Sequence, residues 1–153
     1  MCSSDLFKYS DDNLAWEYSH AKGYRQVAKA AIAEMRRQQP KDVFDNDDMM
    51  QKGVIVRHLV LPCAIENTRG VLQDIASIDK DMCVSLMGQY FPTPAVKNHP
   101  VLSRRISDKE YDEATDAFFD AGLHNGFSQD LDSATEEYVP DFDLDEVARI
   151  LSL

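Results

Sequence analysis

The chain has 153 residues, 44% of them hydrophobic, which is enough for one domain with a core and too apolar for disorder throughout. Its formal charge of −11, from 27 acidic against 16 basic residues, argues against nucleic-acid or anionic-membrane partners, because phosphate binding needs clustered Lys and Arg. No apolar run approaches the ~20 residues of a membrane span and no secretory pattern is seen, so a cytoplasmic protein is expected.

Residues 1–6, MCSSDL, match the translation of a common sequencing-adapter end, TGC TCT TCC GAT CT, and read as a non-native scar outside any packed element. Cys2 and Asp5 are therefore set aside, and native sequence is expected from Phe7, in the middle of an element. Ser10 or Asp11 can cap a short helix through Tyr18. Residues 24–38 carry an apolar stripe of Val27, Ala31 and Met35 with Ala28 and Ile32 beside it, which predicts a longer helix ended by Pro40. The Arg36-Arg37 pair at its end offsets the helix macrodipole. Residues 41–52 are polar and acidic. Their run from Asp45 to Asp48 lacks the Gly and Glu that a calcium-binding EF-hand loop requires, so a solvated loop is expected.

Residues 53–61, GVIVRHLVL, are rich in Val, Ile and Leu on both faces, as in a parallel strand covered on each side. A helix over 65–78 follows, with Ile65, Val71, Leu72 and Ile75 on its apolar side, then a strand over 83–87 and a long connection over 88–105 that contains Pro92, Pro94 and Pro100. Ser107 and Glu110 have capping-box spacing and open a helix carrying Tyr111, Ala114, Thr115 and Phe118, which stops at Gly122. Residues 125–129 read as a short strand, and the acidic tail ends in a small helix over 144–151. Consecutive βαβ units follow from this order. The predicted fold is α/β, the C-terminal half of a partial (β/α) TIM-like barrel with about three parallel strands and covering helices. Such a half has open edges and an uncovered inner face, which implies a missing N-terminal barrel half.

The three cysteines, Cys2, Cys63 and Cys83, are too widely spaced for a clustered metal site or a disulfide framework, so no metal ligand is assigned. Arg57 and His58 are adjacent on one strand and must point to opposite faces. Ligands of α/β barrels sit at the C-terminal strand ends, which selects Arg57, Leu61, Pro62, Gly88, Gln89 and Tyr90, together with Lys8 if Phe7-Lys8 ends an earlier strand. Taken singly, His58 serves equally well as a hydrogen-bonded core residue and Tyr90 as a half-buried wall.

Taken together, FKYSDD (7–12), GVIVRHLVLP (53–62), the helix from Glu66, VSLMGQYFP (84–92), HPVLSRRISDKEYDEA (99–114) and GLHNGFSQ (122–129) resemble a known family. They are similar to the C-terminal half of radical S-adenosylmethionine proteins of the pyruvate formate-lyase activating enzyme-like group, from residue 7 to about 142, with residues 143–153 as a tail helix. The resemblance implies a partial barrel whose N-terminal half carries a CxxxCxxC loop. That loop binds a 4Fe-4S cluster at which S-adenosylmethionine is cleaved to a 5′-deoxyadenosyl radical. The expected substrate is a protein glycine, and the expected partner a glycyl-radical enzyme. This sequence has no CxxxCxxC, so the chain alone is expected to be an inactive, truncated piece that binds neither cofactor tightly. The resemblance puts Lys8 at the lysine of a D-x-K strand end beside the cofactor, with Asp5 one residue out of register for the acid. It puts Arg57 near the methionine moiety, and Gln89 with Tyr90 at the next strand end. An ammonium or guanidinium there could hold the cofactor carboxylate through charge-assisted hydrogen bonds. Cys63 departs from the glycine expected after the proline. The alternative reading is a stand-alone α/β interaction module without catalysis.

Overall fold

A computed structural model describes residues 2–47 and 49–129. Its elements in chain order are β1 (Cys2–Leu6), α1 (Asp12–Ser19), α2 (Tyr24–Gln38), β2 (Val43–Phe44), β3 (Met50–Leu59), α3 (Ile65–Ile78), β4 (Cys83–Met87), a 3-10 turn (Pro94–Val96), α4 (Asp108–Asp120) and β5 (Gly126–Gln129). The fold is α/β. Four strands run parallel in the order β1-β3-β4-β5 and form a curled, open sheet, while β2 pairs antiparallel with β3.

The sheet therefore holds four parallel strands among the described residues, one more than the sequence pattern predicts. The extra strand is β1, whose residues pair in register from Cys2 with Gly53 to Leu6 with Arg57. Residues 2–6 thus belong to a packed element, which corrects their expected exclusion. A ladder is made by backbone N–H and C=O groups, so the origin inferred for a segment's codons carries no information about whether it pairs. The expected loop over 41–52 is also corrected in part. Met50, Gln51 and Lys52 extend β3 at its start, and Val43 and Phe44 fold back on them.

Alternation decides what each face of β3 meets. Val54 and Val56 point into a core shared with Ile32 of α2, Val71, Leu72 and Ile75 of α3, Val84 of β4 and Phe118 of α4. His58 follows the same parity and is fully buried. Arg57 has the opposite parity and is exposed on the far face, in one row with Leu6, Ser85 and Phe127 of the neighbouring strands. On α2 the buried stripe is Tyr24, Ala28, Ile32 and Met35, whereas Val27 is exposed. The predicted stripe is thus rotated by one position. Tyr24 packs at the start of the helix and turns the neighbouring Ala28 and Ile32 inward.

Helix ends follow their local chemistry. Asp11 Oδ1 accepts the Asn13 amide at 2.7 Å and caps α1. At α4 the predicted capping box is present, with Ser107 Oγ accepting from the Glu110 amide and Glu110 Oε2 accepting from the Ser107 amide at 2.8 Å. Gly122, with φ of 83°, follows α4 in the left-handed conformation that glycine tolerates best. The predicted helix over 144–151 lies outside the described residues. No helix among those described is long and apolar enough to cross a membrane.

Candidate functional site

The C-terminal ends of β1, β3 and β4 open on one side of the sheet, where a cleft of about 190 Å³ is lined by Lys8, Tyr9, Tyr18, Leu61, Tyr90, Phe91, Thr93, Val96 and Leu102. Its walls come from four sources, one of them Leu61 in the turn after β3. Lys8 and Tyr9 follow β1, Tyr18 lies on α1, and Tyr90 to Leu102 belong to the connection after β4.

The backbone around Lys8 is fixed by side chains of two helices. Tyr24 Oη accepts from the Lys8 amide at 2.9 Å and donates to the Leu6 carbonyl at 2.9 Å. Asn67 of α3 donates from Nδ2 to the Lys8 carbonyl at 2.9 Å and accepts the Ser10 amide on Oδ1 at 2.8 Å. A buried amide and a phenol thereby satisfy the backbone groups where the β1 ladder ends, as buried polar groups require. The Lys8 ammonium lies 5.2 Å from the centroid of the Tyr9 ring, at cation-π range.

Three tyrosines face the cleft with different tasks for their hydroxyls. Tyr9 Oη is 2.7 Å from Ser19 Oγ, and Tyr90 Oη donates to the Leu102 carbonyl at 2.8 Å. Burial, with Glu17, Tyr9 and Cys63 as neighbours, pushes the Tyr18 phenol above its ordinary value. Burial, followed by Tyr18 and Tyr9, does the same for Tyr90. Both stay neutral at physiological pH, so the cleft carries the charge of Lys8 against uncharged aromatic walls.

Of the seven strand-end residues selected from sequence, the structure brings Lys8, Leu61 and Tyr90 into this cleft and leaves Arg57, Pro62, Gly88 and Gln89 outside its walls. Arg57 is exposed on the uncovered face of β3. Its guanidinium forms no ion pair or hydrogen bond among the described residues. Leu6 pairs with Arg57 and Lys8 follows two residues after the end of that ladder, so the two cations lie along the same β1/β3 seam. Gln89 is half-buried. Tyr18, Phe91, Val96 and Leu102 were not selected, because they reach the cleft from a helix and an irregular connection whose course no periodicity fixes. For Tyr18 one signal did exist, its spacing of four from Leu14 on the apolar side of α1, with both residues against the buried cluster of Tyr9, Ala15 and Leu61.

His58 is a core residue rather than a ligand-facing one. Its ring bridges two elements, with Nδ1 donating to the Phe7 carbonyl at 2.8 Å and Nε2 accepting from Thr68 Oγ1 at 3.0 Å. The carbonyl can only accept, which fixes the proton on Nδ1. Burial pushes the imidazole down to about 4, so it is neutral at pH 7.

Beside the cleft, Cys63 turns the chain out of β3 with φ of 56°, a left-handed conformation that costs a side-chain-bearing residue some strain. Its amide donates to Glu110 Oε1 at 2.7 Å, and Arg104 Nη2 lies 3.0 Å from its Sγ. Arg104 also grips Glu110 through both terminal nitrogens at 2.8 Å. That guanidinium holds the Glu110 carboxyl far below the usual carboxylate range. Among the described residues no group of three or more His, Cys, Asp or Glu could hold a metal ion. No protein-family model matches the chain, and no curated protein matches it.

Proposed function

We propose that this chain is the S-adenosylmethionine-binding half of a radical enzyme of the pyruvate formate-lyase activating type, built as part of a TIM-like barrel. The observation that supports this best is the cleft at the C-terminal strand ends, where the Lys8 ammonium stands among three tyrosine rings. Those groups fit the cofactor by class. An ammonium complements a carboxylate, and aromatic walls complement a purine and the apolar stem of methionine. A cleft of about 190 Å³ is smaller than the ~300 Å³ at which pockets begin to enclose drug-sized ligands, so it would receive one end of the molecule. Arg57, on the same seam, is available to the rest. When bound, S-adenosylmethionine supplies the hydrogen-abstracting group of such enzymes. The contribution of this chain is to bind and orient the molecule and to keep water from one side of it.

The described residues do not fit a 4Fe-4S cluster, so this reading assigns the cluster thiolates to another segment, and no step is routed through them here. It also makes a protein glycine the substrate and a glycyl-radical enzyme the partner. The interaction-module reading draws on a different feature, the apolar groove between α4 and β5 with Phe119 and Phe127 exposed. Titration of the isotope-labelled chain with S-adenosylmethionine, followed by NMR, separates the two. Weak binding that shifts Lys8, Tyr9, Tyr18 and Tyr90, and that Lys8→Ala abolishes, supports the cofactor site. Absence of shifts at millimolar ligand, or shifts confined to the α4/β5 groove, overturns it.

A further inference from the structure

We infer that Asn67 is a positioning residue for Lys8, its side-chain amide standing in for a neighbouring strand and so setting where the ammonium enters the cleft. The inference rests on the cofactor reading of that cleft for its functional meaning and adds to it the group that aims the lysine.

The backbone ladder of β1 stops one residue short of Lys8. Its last bond to β3 runs from the Phe7 amide to the Arg57 carbonyl at 2.9 Å. Phe7 therefore turns its backbone groups toward β3, and strand geometry turns those of Leu6 and Lys8 toward the opposite edge. No strand pairs with that edge among the described residues. Side chains occupy it instead. Tyr24 Oη bonds the Leu6 carbonyl and the Lys8 amide, and the Asn67 amide bonds the Lys8 carbonyl and the Ser10 amide. A residue on a parallel neighbour strand makes the same pair of bonds, donating to one carbonyl and accepting from the amide two residues further on. Asn67 thus supplies a rung past the end of the sheet, and Tyr24 supplies the rung before it. Ser10 closes the arrangement by donating from Oγ to the Asn67 main-chain carbonyl at 2.9 Å.

That rung decides where Lys8 points. Phe7 and Tyr9 are both buried, and Lys8 between them is half-buried in the cleft wall. This alternation persists only while the segment stays extended, and past the last ladder bond the segment is held by side chains. Asn67 is the one that spans Tyr9, the ring whose centroid lies 5.2 Å from the Lys8 ammonium. It therefore holds both the stem and the surface against which the charge rests. Asn gains little inside a helix, because its side chain competes for backbone groups, and the side-chain bonds of Asn67 run to Lys8 and Ser10. The residue is 6% exposed, so these bonds face little competition from water.

NMR of the isotope-labelled full chain reads the position of Lys8 without any ligand. The ring-current shift of the Lys8 Cε protons reports their place against Tyr9. In Asn67→Ala it should fall to about half or less as the stem loses its single orientation. Thr68→Val is the control, since it breaks the adjacent buried bond to His58 and should leave the Lys8 signal unchanged. Asn67→Asp keeps the acceptor for Ser10 and loses only the donor to Lys8, and it serves if Asn67→Ala does not fold. An unaltered Lys8 signal in a folded Asn67 variant, or an equal loss in Thr68→Val, overturns the inference. In the parent chain the Asn67 Nδ2 protons should exchange roughly tenfold or more slowly than those of the exposed Asn13, and equal rates overturn it with no variant needed. S-adenosylmethionine titrations below each melting temperature add the functional arm. The Asn67 variants should weaken binding about three- to tenfold, with Thr68→Val within about twofold of the parent. Unchanged affinity in a variant that has lost the Lys8 signal refutes the positioning role. If the parent chain binds no S-adenosylmethionine, the cofactor reading falls, while the Lys8 signal still decides whether Asn67 places the ammonium.

Discussion

His58 Nδ1 stands 2.8 Å from the Phe7 carbonyl oxygen, so a buried imidazole on β3 ends the ladder to β1 and ties it to Thr68 on α3. His58→Ala should remove both bonds and open a cavity, leaving the Phe7 carbonyl unsatisfied. The cost should be about 2–4 kcal/mol. Urea unfolding measures it, and a loss below about 1 kcal/mol would show that the bridge is not structural.

The same ring makes stability depend on pH. Above pH 6.5 it is neutral in both folded and unfolded chains. Between 6.5 and about 4 the unfolded chain takes up a proton that the buried ring refuses, so stability falls as pH drops through this window. The full difference is roughly 3 kcal/mol at about 1.4 kcal/mol per unit. Denaturation at pH 7.5 and pH 4.5 should show a smaller decrease in His58→Gln than in the parent. Equal decreases would mean that carboxylates, not His58, carry the dependence.

Removing residues 2–6 should destabilise the domain by an amount on the order of 3 kcal/mol, because β1 pairs with β3 along its length and exposes that strand when lost. A thermal melt of the shortened chain that superimposes on the parent's would show that the pairing contributes nothing.

How far the fold was legible depended on the kind of signal. Periodicity alone placed the helix over 65–78, and at α4 periodicity and the Ser107–Glu110 box agree; both match the structure. Strand alternation likewise separated Arg57 from His58 before their surroundings were visible. The pairing of residues 2–6 was not legible from their codons, because pairing is decided by backbone groups. The cleft was legible at Lys8, Leu61 and Tyr90, which follow strand ends, and illegible at Tyr18 and Leu102, whose positions depend on how α1 and the 88–105 segment fold over the sheet.

Arg36 is another bridge, with Nε 2.6 Å from Asp79 and Nη1 2.7 Å from Asp42, and only 11% of its side chain is exposed. Arg36→Met should cost about 2–4 kcal/mol, since it strands two carboxylates, one of them 8% exposed and also accepting the Val54 amide. The loss should be nearly independent of salt between 0.05 and about 0.5 M, because buried pairs are weakly screened. A loss that vanishes in high salt would place the pair at the surface in solution.

Gly126→Ala tests the outer strand of the sheet. A Cβ there would collide with the Val84 carbonyl oxygen and press on the Phe118 ring at 3.3 Å. The β4/β5 register pairs Val84 with Gly126, so the backbone cannot yield without breaking a ladder. A destabilisation of about 1–3 kcal/mol is expected from overpacking, with hydrogen exchange rising first in β5 and α4. Wild-type stability in this variant would show that β5 is loosely held.

Arg57 and His58 should separate affinity from stability. Arg57 is exposed with no partner among the described residues, so Arg57→Ala should change unfolding free energy by no more than about 0.5 kcal/mol. If the seam it shares with Lys8 receives an anionic ligand end, the same change should weaken S-adenosylmethionine binding roughly tenfold or more, in line with about 1.5–3 kcal/mol for a charge-assisted contact. His58→Ala should do the reverse, lowering the melting temperature while leaving affinity within about twofold once the chain is folded. Binding isotherms and thermal melts on both variants, measured below the lower melting temperature, give four numbers. A loss of affinity confined to His58→Ala would mean that the helical face of β3, rather than its open face, meets the ligand. Alternation forces that choice, because neighbouring side chains on one strand cannot serve the same face.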